Sequence, residues 1–403
     1  MFGIKPLPGV RLTLISDVLH APYSGMLPGH VAGFYDYDEC HIDLRSLAEF
    51  AGCQILIDRA IAIDLNKNLV ICQTHPPVNF DVLSVDIGST PATLSVPGAA
   101  KYAIAAKPVP EFLASWNQLI SERQNSLQKP LRIAIVGGGA GGVELALNMQ
   151  SRLGKEGNPP LPPKGEKREK NEQKSEKLSS EIHLFHSGAE LMPGHNKRVR
   201  RRLKEILISR RIKLHLMEKV SAIEKPEMID IEDNQECPMP NAQCPMPNAK
   251  ISCKSGLKLE CEIIFWVTQA SAANWIRESG LAADSNGFMQ VNDCLQSVSH
   301  SNVFAAGDIA AMVNYPRPKA GVFAVRQGKP LFENLQQFLL EKPLKPFAPQ
   351  EQYLGLIGTG NKRAIASRGN FMWESWVLWY WKDWIDRQFM QQFSNLPKTG
   401  DTK

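Results

Sequence analysis

Apolar residues along this chain come in short runs separated by polar punctuation. Residues 11–16 (RLTLIS), 54–57, 69–72 and 82–86 are short, apolar and rich in β-branched side chains, the pattern of strands buried in a sheet. The period changes at 110–127, where Trp116, Leu119 and Ile120 share one face of an expected helix. A further apolar run, 131–136, stops abruptly at the glycine cluster GGGAGG, which opens another helix-forming stretch. Strand patterns return at 182–186 and near 303. Strands alternating with helices predict an α/β protein with a mostly parallel sheet. No uncharged apolar run approaches the roughly 18 residues of a spanning helix.

Two segments interrupt the pattern. Residues 154–180 are Pro-rich and then highly charged, with only Leu161 and Leu178 as large apolar residues, so a disordered surface insert is expected. Residues 236–249 are a tandem heptad, ECPMPNA then QCPMPNA. One reading is a soft-metal site from Cys237, Met239, Cys244 and Met246. The other, which the prolines favour, is a duplicated hairpin tip with no regular element to present ligands.

Composition narrows the function classes. A chain of 403 residues, 43% hydrophobic and 22% charged, fits a soluble protein of two or three domains. The formal charge of +5 is local: residues 197–213 hold nine Lys or Arg against Glu205, leaving the remainder slightly acidic. No nucleic-acid partner is therefore expected. Eight cysteines without a C-x-x-C exclude a disulfide scaffold, a thioredoxin-type pair and a zinc ribbon. With no secretory h-region visible at the N-terminus, a cytoplasmic setting is expected.

The stretch LRIAIVGGGAGGVELALNM carries the clearest chemistry. Gly137-x-Gly139-x-x-Gly142 lies between a strand and a helix. Gly137 would make the tight turn, Gly139 would let the backbone approach a pyrophosphate, and Gly142 would let helix and strand pack closely. The helix start would add free N–H groups for the phosphates. The alternative is a glycine turn with no ligand. The carboxylate that reads a ribose should end the next strand, but 182–186 ends in His186-Ser187, and Glu190 lies further on. That leaves room for the 2′-phosphate of NADPH beside the basic segment. Equally, Val199, Leu203, Ile206 and Leu207 form a helical apolar stripe whose cationic neighbours are simply solvated. NADH and NADPH both remain open.

Near residue 303, SNVFAAGDIAAM places Gly307-Asp308 after a short strand and before an expected helix. Alone, this is no more than an Asp cap. With PKAGVFAVRQG downstream, DIGSTP at 86–91 and WVTQA at 266–270, it resembles the FAD- and NAD(P)-dependent pyridine nucleotide-disulfide oxidoreductases. HAPYSGMLPGHVAGFY and DECHIDLRSLAEFAGCQILIDRAIAIDL narrow the likeness to the flavoprotein module fused ahead of selenide, water dikinase, and more broadly to type II NADH dehydrogenases and sulfide:quinone reductases.

The resemblance implies two Rossmann-like dinucleotide-binding domains, for FAD and NAD(P), with a small C-terminal α+β domain. Its boundaries would be 1–128 and 291–345 for the FAD-binding domain, 129–290 for NAD(P), and 346–403 for the C-terminal domain. Ser24 and Pro28 would border the flavin ring, and Ala60 the adenine end. Gly88, Ser89, Gly307, Asp308, Lys319 and Val322 would line the rest of the FAD site. Glu144 would sit where nicotinamide meets flavin. The implied reaction is hydride transfer from NAD(P)H to FAD and onward to a quinone or other small-molecule electron acceptor, with no catalytic acid or base nominated. The alternative it implies is a non-catalytic or degenerate module, a partner of a selenide, water dikinase.

The sequence also departs from that family. MFGIKPLPGV resembles the lead-in to the family's second strand, so the first FAD glycine motif and the kinase half are both expected to be missing. Asp17, or Ser16, would be the ribose contact at the end of that strand, unless Asp17 is a turn residue. Five of the eight tryptophans fall in FMWESWVLWYWKDWIDRQFM. Trp373, Trp376, Val377, Tyr380 and Trp384 follow helical spacing, which suits peripheral membrane contact; the alternative is a helix packed on its own domain or on a second copy.

Overall fold

The computed structural model describes residues 1–91, 96–125, 131–154, 180–225, 248–268 and 270–396. The insert at 154–180 and the tandem heptads at 236–249 fall almost wholly outside the described residues, as do Cys237, Met239, Cys244 and Met246.

The framework comprises strands β1 (Leu12–Ser16), β2 (Cys53–Ile57), β3 (Leu83–Val85), β4 (Leu131–Val136), β5 (Ser180–His186), β6 (Lys213–Leu216), β7 (Ile263–Trp266), β8 (Val303–Ala305) and β9 (Phe371–Ser375). Its main helices are α1 (Val109–Asn125), α2 (Ala140–Leu153), α3 (Lys197–Ser209), α4 (Gly321–Leu339) and α5 (Trp376–Ser394). The expected strands and the 110–127 helix are all present, with ends shifted by a residue or two.

The largest sheet is parallel, in the order Ile104–Ala105, β7, β4, β5, β6. From β4 the chain moves to β5 and β6 on one side, then returns to β7 on the other. The C-terminal end of β4 is thus a topological switch point, where a crevice opens outside the strand ends. Both faces of β4 are covered. Ile133 and Ile135 pack with Val143 and Leu147 of α2 and Leu203 and Leu207 of α3. Ala134 and Val136 face the antiparallel sheet of Val220–Glu224, Ala249–Cys253 and Lys258–Cys261, together with Phe185 and Trp266. Burial on both sides is why β4 reads as one continuous apolar run. Phe265, fully buried, clamps α1 to this sheet, its ring centre 5.2 Å from Phe112 and 6.3 Å from Trp116.

A second α/β region combines chain from both sides of this sheet. There β1 pairs in parallel with β2, and β3 with β8. Among the described residues these pairs are separate two-stranded sheets. One expectation changes here, because Gly307-Asp308 does not run into a helix. Residues Gly307–Ile309 form a 3-10 turn followed by strand Ala310–Met312, and α4 begins only at Gly321. Pro316 and Pro318 explain the delay, since neither supplies an N–H and each restricts the residue before it.

The C-terminal piece is a three-stranded antiparallel sheet, Gly355–Gly358, Ala364–Arg368 and β9, continued by α5. The Ser375 hydroxyl accepts the Val377 N–H and caps α5. The Trp-rich helix is present from Trp376, with Trp373 in β9 and not on the helix, and its aromatic side faces outward. Asp386 is 5% exposed against the protein, while Trp376 and Trp384 are each 59% exposed. Among the described residues no helix is long and apolar enough to cross a membrane.

Candidate functional site

At the switch point the glycine turn is built for close approach. Gly137 has φ +133°, and a Cβ there would collide with the Val267 carbonyl. A Cβ on Gly142 would strike the Gly137 carbonyl, so strand and helix meet through bare backbone. Gly139 differs: nothing lies within 4 Å of its Cβ position, which leaves open space over the start of α2. The 14-residue α2 has no side-chain cap at that end, so its first N–H groups point outward unpaired by one. Thr268 Oγ1, close to the turn in sequence, is buried without a hydrogen-bond partner, as is Trp266 Nε1 within the core on the other face of β4. Free helix N–H groups and an open glycine together fit a dinucleotide pyrophosphate.

The end of β5, where a ribose-reading carboxylate was sought, offers no free acid. β5 ends in His186 with no carboxylate, and the Glu190 carboxylate is ion-paired with Arg200 of α3. On α3, Val199, Leu203, Ile206 and Leu207 are buried as expected. Arg202 pairs with Glu374 in β9, and Arg201 with Glu205.

A second constellation surrounds Gly307-Asp308. Gly307 has φ +72°, its N–H donates to Gln327 Oε1 at 2.7 Å, and Asp86 fills the space where its Cβ would be. Desolvation of the Asp86 carboxyl and the nearby Asp308 charge push it up to about 6. One oxygen of Asp308 accepts from Ser89 Oγ at 2.9 Å and from Lys107 Nζ at 2.6 Å. Lys319 donates to the Ala310 carbonyl at 2.7 Å and sits 4.1 Å from the Phe288 ring centre. Its ammonium is pushed down by burial, against the pull of Asp284 and Asp308. A cavity of 280 Å³ opens here between Asp308, Lys319, Phe323 and Gln327. α4 starts without a side-chain cap, and Gly321 faces Ser24, whose hydroxyl lies 3.7 Å from the Cβ position. An anchored carboxylate, a lined cavity and the free start of a 19-residue helix fit the hydroxyl-bearing linker and electron-rich ring edge of a flavin.

Glu144 joins the two regions through the C-terminal piece. Its Oε1 accepts the Gly358 N–H at 2.6 Å. Burial pushes the carboxyl up to about 7, with Lys382 pulling it down and Asp386 adding to the rise. From α5, Lys382 Nζ donates to the Gly25 carbonyl at 2.8 Å and to Asp386 at 2.6 Å. Asp386 is itself pushed up by burial despite Lys382. Tyr23 is raised by burial and by its bond to Asp386.

The structure thus brings Ser89, Gly307, Asp308 and Lys319 together, with Ser24 at the start of α4 and Val322 in its first turn. Pro28 opens the short helix Leu27–Val31 beside Ser24, and Gly88, with φ +68°, precedes Ser89. Gly137, Gly139 and Gly142 form the separate turn. Ala60 stands apart, paired with Cys72 in an antiparallel strand. Asp17, at the end of β1, is held by Arg59 at 3.0 Å. Sequence reasoning missed Lys107 and Lys382. Lys107 gives no local signal, whereas the i,i+4 spacing of Lys382 and Asp386 is visible once α5 is recognised.

Fold and glycine turn define a dinucleotide-binding α/β protein, and comparison with known proteins places it further. The pyridine nucleotide-disulphide oxidoreductase family pattern matches residues 7–328, and the chain belongs to that family. Members of this family are FAD-dependent oxidoreductases that use NAD(P)H. Ferroptosis suppressor protein 1 of Xenopus laevis is 25% identical over 296 residues, covering 72% of this chain and 65% of the relative. Demethylphylloquinone reductase NdbB of Synechocystis is 23% identical over 229 residues, 57% of this chain and 46% of that protein. The chain therefore spans about two thirds or less of these relatives' length. Among solved structures, the sulfide:quinone oxidoreductase of Aquifex aeolicus superposes with a TM-score of 0.72 at 16% identity, covering 99% of this chain and 89% of that one. NDH2 of Plasmodium falciparum gives 0.65 at 13% identity, covering 96% and 94%. These likenesses establish the fold.

Proposed function

We propose that this chain is an FAD-dependent oxidoreductase that takes hydride from NAD(P)H and passes the electrons to a quinone or another small acceptor. The observation that carries the reading is the convergence of an anchored Asp308, the open glycine turn and the linking Glu144 in one molecule. Bound FAD would supply the hydride-accepting ring. The chain's own residues would bind and orient. Asp308, steadied by Ser89 and Lys107, would hold the flavin linker; Ser24, Pro28, Gly88, Lys319 and Val322 would line the ring side, and Ala60 the adenine end. Gly137, Gly139 and Gly142 would take the NAD(P)H pyrophosphate. Glu144, at about 7, would keep a proton on its carboxyl up to neutral pH where the two halves meet.

A quinone acceptor is supported by the names of two relatives and neighbours, a demethylphylloquinone reductase and a sulfide:quinone oxidoreductase. The six described cysteines are free thiols, and no C-x-x-C occurs in the chain, which speaks against a dithiol relay. We keep peripheral membrane contact through α5 within this proposal, as a route for a lipid-dissolved acceptor. The association with selenide, water dikinase rests on sequence resemblance alone, and none of the relatives named here adds to it. The test is oxidation of NADH and NADPH by the flavin-loaded protein with and without a short-chain quinone. Turnover that requires the quinone supports the reading; loaded protein that oxidises neither nucleotide refutes it.

A further inference from the structure

Away from the glycine turn and the Asp308 cluster, a second cavity, of 960 Å³, opens beside the end of α5. Three short elements frame it: strand His20–Pro22, its antiparallel partner His41–Asp43, and the helix Leu44–Ala51. Asp43 caps that helix, its carboxylate accepting the Arg45 N–H at 2.9 Å and the Ser46 hydroxyl at 2.7 Å. Ile42, Phe50, Met390 and Phe393 give the cavity buried or half-buried apolar walls. Its charge is lopsided. Asp38, Glu39, Asp43 and Glu49 line it, and among the described residues Arg387 is the only Lys or Arg that does. Arg387 is already held by Glu39 at 2.7 Å and by Asp383 at 3.0 Å. Asp43 meets neutral donors, and among the described residues Asp38 and Glu49 form no ion pair. Three carboxylates therefore face the cavity without an ion-pair partner.

His41 adds what solvated carboxylates alone would lack. It is 8% exposed, and its ring stacks on Tyr37 with centres 3.7 Å apart. Its Nδ1–H donates to the Tyr37 carbonyl at 2.7 Å, which fixes the tautomer and leaves a lone pair on Nε2. Burial pushes the imidazole down from its ordinary value, which keeps it neutral at pH 7. Nε2 has no partner among the described residues, yet it is not sealed in the core, since the ring lines the cavity. A buried acceptor of this kind is completed by a donor from a ligand. The acidic rim rejects anions. Among the described residues no three side chains converge as metal ligands, so a bare metal ion does not match either. Asp43 and Glu49 are separated by about 9 Å along their helix, at roughly 1.5 Å per residue. One ammonium group, reaching about 3 Å to each acceptor, cannot serve both. Several ammonium groups spaced along an apolar chain can.

We propose that this cavity binds a linear polyamine. Its ammonium groups would sit at Asp38, Asp43 and Glu49, one of them donating to His41 Nε2, with the methylene stretches on Phe50, Met390 and Phe393. The site is independent of the flavin and nucleotide assignments, so its test needs neither cofactor. The test is calorimetric titration of the full chain with spermidine, with propylamine and magnesium chloride as comparison probes. Spermidine is expected to bind one per chain, to persist in about 0.15 M salt, and to resist displacement by equimolar magnesium. Propylamine, which can meet only one carboxylate, should bind about tenfold more weakly. Asp38→Asn with Glu49→Gln, both on the exposed rim, should weaken spermidine binding by about tenfold. His41→Phe keeps a ring stacked on Tyr37 but removes Nε2, and should weaken it by about fivefold. Many weak sites, or ready displacement by magnesium, would mark spermidine as a surface counter-ion and overturn the proposal. Absence of binding would overturn it too. So would unchanged affinity in the rim variant, and that variant decides the matter if His41→Phe fails to fold.

Discussion

Replacing Glu144 with Gln isolates one buried titration. The amide keeps an oxygen to accept the Gly358 N–H but cannot ionise. In the native protein the carboxyl stands at about 7, raised from 4.5, chiefly because burial penalises its charged form. A raised acid binds its proton more tightly in the folded state, so its contribution is fully present below about 4.5 and is lost as pH rises through about 7. Moving a carboxyl over that interval corresponds to about 3 kcal/mol. This is an upper limit, because Glu144 keeps a partly exposed surface. Glu144→Gln should therefore gain stability relative to the parent between about pH 4.5 and 8, by up to about 3 kcal/mol, and show no further relative gain above that. Urea unfolding of the nucleotide-free protein, followed by tryptophan emission across this range, reads the difference directly. Asp86 also rises on folding, but it is common to both proteins and cancels; the Asp386 charge is part of what raises Glu144, so that interaction is contained in the Glu144 difference. Parallel pH profiles for parent and variant would refute the argument.

Lys107→Met leaves the Asp308 carboxylate, 14% exposed, without its ammonium. Flavin content after purification should fall, with an apo-protein cost on the order of 1 kcal/mol; full flavin retention would sink the assignment of this cluster. The glycine turn should respond position by position. Gly142→Ala drives a methyl into the Gly137 carbonyl and should cost about 1–3 kcal/mol of folding stability in a thermal melt. Gly139→Ala meets nothing within 4 Å and should melt like the parent, yet bind NAD(P)H more weakly in calorimetry. The reverse ranking would contradict the proposed pyrophosphate path.

Much of the fold was legible because parallel strands buried on both faces advertise themselves as unbroken apolar runs. β4, β5 and the helix from 110 were read within a residue or two. The antiparallel pieces were harder: Gly355–Gly358 and Ala364–Arg368 form a local hairpin of strands only four and five residues long, too short for their alternation to stand out. The glycine turn was visible as spacing, and the collision of a Gly142 Cβ with Gly137 supplies its physical basis. Asp308 was visible only through family likeness, and its ammonium partner Lys107 was invisible, being 201 residues away in sequence. The orientation of α5 was left open by the sequence for a general reason. Periodicity reveals that a helix has an apolar stripe, but not whether that stripe faces the core, and here the charged residues were satisfied inside by Gly25 and Glu39.

The central claim is that one chain couples a nicotinamide to a flavin and then to a small acceptor. Anaerobic titration of the flavin-loaded protein with NADH, and separately NADPH, tests it most directly. The flavin absorbance near 450 nm, roughly where oxidised flavins absorb, should bleach with about one equivalent of nucleotide and return when a short-chain quinone is added. Tightly bound flavin that neither nucleotide bleaches would contradict the account.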